Sequence, residues 1–154
     1  MPLTAGEDAP AFRLEDQDGS TYALSDLSGK KVLLYFYPKD DTRGCTMEAQ
    51  QFNELLRRFE DQGIVVLGVS ADDARSHQRF RAKYGLRFPL LCDEGAQVAK
   101  AYGAYGERHS FGKTVEGVKR STFLIDESGR IERAWYDVRP DGHPEAVLGS
   151  LSVP

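Results

Sequence analysis

The sequence predicts an α/β fold in which a central mixed sheet is flanked by helices, and two observations carry that expectation. Val32-Leu33-Leu34-Tyr35-Phe36-Tyr37 and Ile64-Val65-Val66-Leu67-Gly68-Val69 are apolar on both faces, as strands are when helices cover each side of the sheet. Between them, Phe52, Leu55, Leu56 and Phe59 recur at the spacing of an amphipathic helix, which Gly63 then stops. The three segments make a βαβ unit.

The remaining elements follow in order. Phe12 to Leu14 and Tyr22 to Leu24 flank the turn residues Asp18-Gly19, which predicts a leading hairpin. After the βαβ unit, Asp72 or Asp73 caps a second helix that runs through Phe80 and Tyr84 to Gly85. A strand over Phe88 to Leu91 and a short helix around Val98, Ala99 and Tyr102 come next. Ser121 to Ile125, the turn Asp126-Glu127-Ser128-Gly129 and Ile131 to Tyr136 predict an antiparallel hairpin, and Pro144 opens a last helix with Val147, Leu148 and Leu151. This order, with its terminal ββα, fits a thioredoxin-like core carrying an N-terminal β-hairpin. At 154 residues, a chain buries roughly two-thirds of its unfolded surface in one core, so residues 1–154 are expected to form a single domain.

Composition narrows the function. A net charge of −4, with both signs interspersed, offers no basic face for nucleic acid. The longest apolar stretch, Val32 to Tyr37, falls far short of the roughly 20 residues of a membrane span. Met1 to Pro10 shows no charged n-region followed by an apolar run, so a cytoplasmic protein is expected. Cys45 and Cys92 do not make a disulfide scaffold, and in a reducing compartment such thiols are buried, metal-bound or reactive. Neither has a partner at Cys-x-x-Cys spacing, which argues against a dithiol reductase. His77, His109 and His143 are scattered singly, so no metal or other cofactor is expected, and each histidine is read as a surface or hydrogen-bonded group.

The chemistry concentrates in Tyr37-Pro38-Lys39-Asp40-Asp41-Thr42-Arg43-Gly44-Cys45-Thr46-Met47-Glu48-Ala49, between the first central strand and the first helix. Functional groups of open α/β sheets gather at the carboxyl ends of strands, where a helix N-terminus presents free N–H groups and partial positive charge. Cys45 falls in or just before that first turn. A free thiol with a pKa of about 8.5 is mostly neutral at pH 7, and both a helix N-terminus and a nearby guanidinium, such as that of Arg43, favour the nucleophilic thiolate. The polar, turn-forming flanks argue against simple apolar burial.

At these residues the chain resembles the peroxiredoxins. Pro38-x-x-x-Thr42-x-x-Cys45 matches their pattern of Pro, Thr and peroxidatic Cys. The wider text, with Gly44-Cys45-Thr46 and Glu48-Ala49, is similar to the bacterioferritin comigratory protein or peroxiredoxin Q subgroup. So are Ala9-Pro10-Ala11-Phe12, Asp16-Gln17-Asp18-Gly19, Gly112-Lys113-Thr114 and Arg120-Ser121-Thr122-Phe123-Leu124-Ile125-Asp126. The resemblance covers nearly the whole chain.

The resemblance implies a thiol-dependent peroxidase that reduces hydrogen peroxide and organic hydroperoxides through a cysteine sulfenic acid, recycled by a dithiol donor such as thioredoxin. It implies Cys45 as nucleophile, Thr42 as the hydroxyl that orients the peroxide, and Pro38 as the shield against water. It places the catalytic arginine just before the Ser121 strand, which selects Arg120 over Lys119. Glu48 is expected to support the site by bonding backbone or by facing the helix dipole. Two departures stand out: Arg43 replaces the subgroup's usual Pro, and Gln50 occupies the position where many members carry a resolving cysteine. Cys92 is the remaining candidate resolving thiol, which requires local unfolding; the alternative is a buried structural thiol in a one-cysteine enzyme. A monomer is expected. A non-enzymatic chaperone or interaction protein on the same scaffold is the competing class.

Overall fold

A computed structural model describes residues 2–110 and 112–151. Its central sheet has five strands in the order β5-β4-β3-β8-β9. β3 (Lys31–Phe36), β4 (Ile64–Ser70) and β5 (Leu90–Cys92) run parallel, while β8 (Ser121–Ile125) and β9 (Ile131–Trp135) are antiparallel. β3 is central, pairing Leu34 with Leu67 on one side and with Phe123 on the other. β1 (Arg13–Glu15) and β2 (Thr21–Ala23) form the expected leading hairpin, one residue from its predicted ends.

Alternation along β3 divides the core in two, because successive strand side chains point to opposite faces. Leu33 and Tyr35 pack with Phe52 and Phe59 of α1 (Arg43–Asp61), Phe80 of α2 (Ala74–Tyr84) and Val147 of α4 (His143–Leu151). Val32, Leu34 and Phe36 pack on the other face against Ala99 of α3 (Gln97–Ala101), Tyr102, Phe12 and Ala9. Each fully buried Phe or Leu contributes about 2 kcal/mol of transfer free energy, so the two apolar faces of β3 and β4 hold both layers.

Helix ends follow their punctuation. The Asp73 side chain accepts from the Ser76 N–H at the start of α2, and Gly85 closes that helix in the left-handed region at φ 63°. β5 starts two residues later than the apolar run suggests, since Pro89 has no N–H for a ladder and gives only its carbonyl, to the N–H of Gly68. A second hairpin, β6 (Tyr105–Ser110) with β7 (Lys113–Val118), has no counterpart in the sequence reading. Its pairs include Glu107 opposite Glu116 and Arg108 opposite Val115, so no apolar alternation marks it.

Both outer edges of the sheet are covered by the N-terminal segment. At β9, Gly6 N–H donates to the Ile131 carbonyl and Ile131 N–H to the Glu7 carbonyl. At β5, Asp16 bridges to Leu91, and the Gln17 side-chain oxygen accepts from Leu90 N–H at 3.1 Å. Among the described residues, no helix is long and apolar enough to cross a membrane.

Candidate active site

The chain leaves β3 at Phe36, crosses Tyr37 and the half-buried Pro38, and turns at Asp41, whose φ is 56°. α1 then starts at Arg43 with Thr42 at its N-cap position. Thr42 does not cap the helix; its hydroxyl donates to the Lys39 carbonyl at 2.8 Å. That bond closes the loop and leaves the exposed oxygen's lone pairs free to accept. Cys45 lies in the first turn of α1 and is 2% exposed.

Antiparallel pairing explains what meets Cys45. Ser121, the first residue of β8, sits opposite Phe36, the last of β3, so Arg120 arrives beside the start of α1. One guanidinium nitrogen of Arg120 donates to Cys45 Sγ at 3.4 Å and the other to Glu48 Oε1 at 2.8 Å. Glu48 lies three residues beyond Cys45, on the same helix face, and is fully buried. It therefore stands past the first turn and pairs with a side chain, correcting the expectation of a backbone or dipole role. Gly44 permits the close approach: a Cβ there would lie 3.1 Å from Arg120 Nη2 and 3.2 Å from Pro140 Cγ.

Burial pushes the Glu48 carboxyl up to about 7, against the pull of Arg120. Its Oε2 and the buried Tyr35 hydroxyl have no protein partner among the described residues. Beside them, Thr122 Oγ1 and His143 Nε2 share a hydrogen bond at 2.8 Å, and burial together with the Arg120 charge takes His143 down to about 4, so its ring is neutral.

These two shifts oppose each other in stability. Glu48, raised from 4.5 to about 7, holds a proton in the folded chain that the unfolded chain releases, so its contribution is lost as pH rises across that window. His143, lowered from 6.5 to about 4, contributes stability that is gained as pH rises across its own window. Glu48→Gln is expected to unmask the His143 slope: urea midpoints measured between pH 4.5 and 6.5 should climb more steeply with pH than those of wild type. Parallel profiles would show that Glu48 does not titrate there.

The other expected residues are placed less centrally. Arg43 is exposed, and among the described residues only Arg120 of the two arginines hydrogen-bonds the sulfur. Lys119 faces Asp137 at 3.6 Å. Cys92 ends β5, two strand positions from β3. Its thiol is half-buried and free, and burial with Asp40, Asp73, Asp16 and Glu15 pushes it up to about 11. The histidines are hydrogen-bonded as expected: His109 on the exposed hairpin to Thr114, and His77 and His143 in the interior. The burial of His77 had a signal in its three-residue spacing from Phe80 on α2. The meeting of Thr122 with His143 had none, since it joins β8 to the start of the separate helix α4.

Residues 5–134 match the AhpC/TSA family. The chain is 49% identical over 149 residues to the bcp peroxiredoxin of Helicobacter pylori (strain J99 / ATCC 700824), covering 97% of this chain and 98% of the relative. It is 43% identical over 150 residues to peroxiredoxin Bcp of Escherichia coli K12, covering 97% and 96%. The solved bacterioferritin comigratory protein of Xanthomonas campestris superposes with a TM-score of 0.87 at 39% identity over 96% of each chain. A thiol held by a half-buried guanidinium at the start of a helix, on this fold and with these relatives, places the chain in the AhpC/TSA family, among the Bcp and peroxiredoxin Q proteins, as a thiol-dependent peroxidase.

Proposed function

We propose that Cys45 is the peroxidatic nucleophile, and the observation that carries this is the Arg120 guanidinium shared between Cys45 Sγ and the buried Glu48. The Cys45 thiolate attacks one oxygen of a hydroperoxide, R–O–O–H, with its lone pair. The S–O bond forms as the O–O bond breaks; sulfur is oxidised to the sulfenic acid, which keeps the hydroperoxide's proton, and the departing oxygen takes a proton from solvent to leave as water or an alcohol. Arg120 holds sulfur and the shifting negative charge with a rigid fork of donors. The free oxygen lone pairs of Thr42 accept from the hydroperoxide O–H, and Pro38 keeps water from the thiolate. The first-turn N–H groups of α1 lack helical carbonyl partners and favour the same charge.

Alkyl as well as hydrogen peroxide fit this reading, since alkyl peroxide reduction is ascribed to the Xanthomonas campestris relative. The thiol reductant that the family requires is a thioredoxin-type dithiol, serving a cytoplasmic, single-domain monomer.

The sulfenic acid waits for that external thiol. Two strand spacings, about 10 Å, separate β3 from the strand that ends at Cys92. A disulfide needs its Cα atoms within roughly 7 Å, and a thiol pushed up to about 11 is a scarce thiolate at neutral pH. After one equivalent of hydrogen peroxide, mass spectrometry is expected to find oxygen added to Cys45 and a free Cys92, with unchanged turnover in Cys92→Ser. A Cys45–Cys92 cross-link in monomeric protein would instead make Cys92 the resolving thiol, reached by opening of the Cys45 turn or of the end of β5.

A further inference from the structure

A second buried polar cluster lies behind the Cys45 loop, outside the chemistry above. His77 of α2 is fully buried, and both ring nitrogens face acceptors: Nδ1 lies 2.6 Å from Asp40 Oδ2, and Nε2 lies 2.9 Å from the Leu91 carbonyl. Two acceptors require two ring N–H groups, so the ring is an imidazolium paired with the Asp40 carboxylate. The same carboxylate accepts from the Tyr37 hydroxyl and from Ser76 Oγ. The main-chain N–H of Asp40 donates to Asp72 Oδ2 at 2.9 Å. Asp40, Asp72 and His77 offer ligand atoms within 4.8 Å of one another. Their hydrogen bonds already use those atoms on one another and on Ser70, Ser76 and Tyr37, so the cluster is a network complete without an ion.

We propose that Asp40 and His77 are positioning residues for peroxide reduction: they strap the Pro38–Thr42 loop to α2 and β5 and so fix where Thr42 and the first turn of α1 stand. Asp40 is the buried anchor of a loop whose neighbours Lys39, Asp41 and Thr42 are exposed. Its carboxylate draws donors from Tyr37, just beyond β3, and from α2, and its backbone is held from the turn that enters α2. Through His77 the strap also reaches the carbonyl of Leu91, next to Cys92. A misplacement of about 1 Å at a reacting centre can cost on the order of a hundredfold in rate, so a loop held this way sets the reaction without touching substrate. The proposal rests on Cys45 and Thr42 acting as described above.

The test compares two replacements that each keep one of the ring's donors. His77→Asn retains an N–H near the Nδ1 position, toward Asp40, and His77→Gln one near the Nε2 position, toward Leu91. His77→Asn is expected to stay within about threefold of wild type in the rate of Cys45 oxidation by hydrogen peroxide. His77→Gln is expected to fall by about tenfold or more, with faster hydrogen–deuterium exchange confined to residues 38–46. Equal rates and exchange in both variants, whether both like wild type or both equally impaired, would overturn the strap. If His77→Gln does not fold, Asp40→Asn, which removes the carboxylate charge, takes its place in the same comparison. Exchange is read without peroxide, so a failure of the strap is distinguishable from a failure of Cys45, which would appear as an unreactive wild type.

Discussion

Replacing Cys45 with serine is expected to abolish peroxide consumption and leave the fold standing. Removing an enzyme's nucleophile typically costs several orders of magnitude in rate, and a serine hydroxyl at neutral pH is a far weaker nucleophile than a thiolate. The fold should survive because the buried oxygen inherits a donor: Arg120 Nη2, which now serves Cys45 Sγ at 3.4 Å, satisfies the hydroxyl that burial would otherwise penalise. Two measurements check this, peroxide consumption with a dithiol reductant in excess and thermal unfolding followed by circular dichroism. Turnover above about a tenth of wild type would remove Cys45 from the chemistry.

Arg120→Ala is expected to slow Cys45 oxidation by about a hundredfold to a thousandfold, the range found when one preorganised donor to a developing anion is deleted. Two effects combine. The thiolate loses the cation at its sulfur, and with it the donor that steadies the shifting negative charge as the O–O bond breaks. The buried Glu48 also loses its partner at Oε1, and a carboxyl already pushed up to about 7 by burial answers by holding its proton. The stability loss should accordingly be smaller than the roughly 3–5 kcal/mol of breaking a fully charged buried pair. Stopped-flow fluorescence of Trp135, the chain's single tryptophan, gives the rate, and urea unfolding gives the stability. A rate loss under about threefold, less than roughly 1 kcal/mol, would mean that Arg120 is not the catalytic arginine.

Legibility from sequence followed the range of the physics. The central strands were readable because their patterns are local and strong; so were α1, ended by Gly63 at φ 75°, and α2, capped by Asp73 and Gly85. The Cys45 turn was readable because a motif and a helix start coincide within a few residues. Arg120 came only through resemblance, since its meeting with Cys45 depends on β8 pairing antiparallel to β3 across more than seventy residues of chain. The bond between Glu48 and Arg120 and the ring of donors around Asp40 were hidden for the same reason. Polar partners at long separation leave no periodicity. The β6–β7 hairpin was missed because its like-charged and glycine-bearing pairs carry no apolar face.

The N-terminal segment that lies along β9 and then along β5 has a consequence for how copies of the chain meet. An open five-stranded sheet ends in two rows of backbone donors and acceptors, each a template on which another chain's strand can add and propagate. Here one stretch, from Gly6 to Gln17, reaches both rows: Gly6 and Glu7 on Ile131, then Asp16 and Gln17 on Leu91 and Leu90. Between the two contacts Ala9 and Phe12 are buried under the sheet, and the Pro10 carbonyl accepts from the Tyr102 hydroxyl at 2.7 Å. The segment cannot lift from one edge without loosening its hold on the other. Resistance to strand-by-strand fibril growth is thereby tied to the same apolar contacts that close the second face of the core, and a lesion at Phe12 would surface first as self-association and only later as lost catalysis.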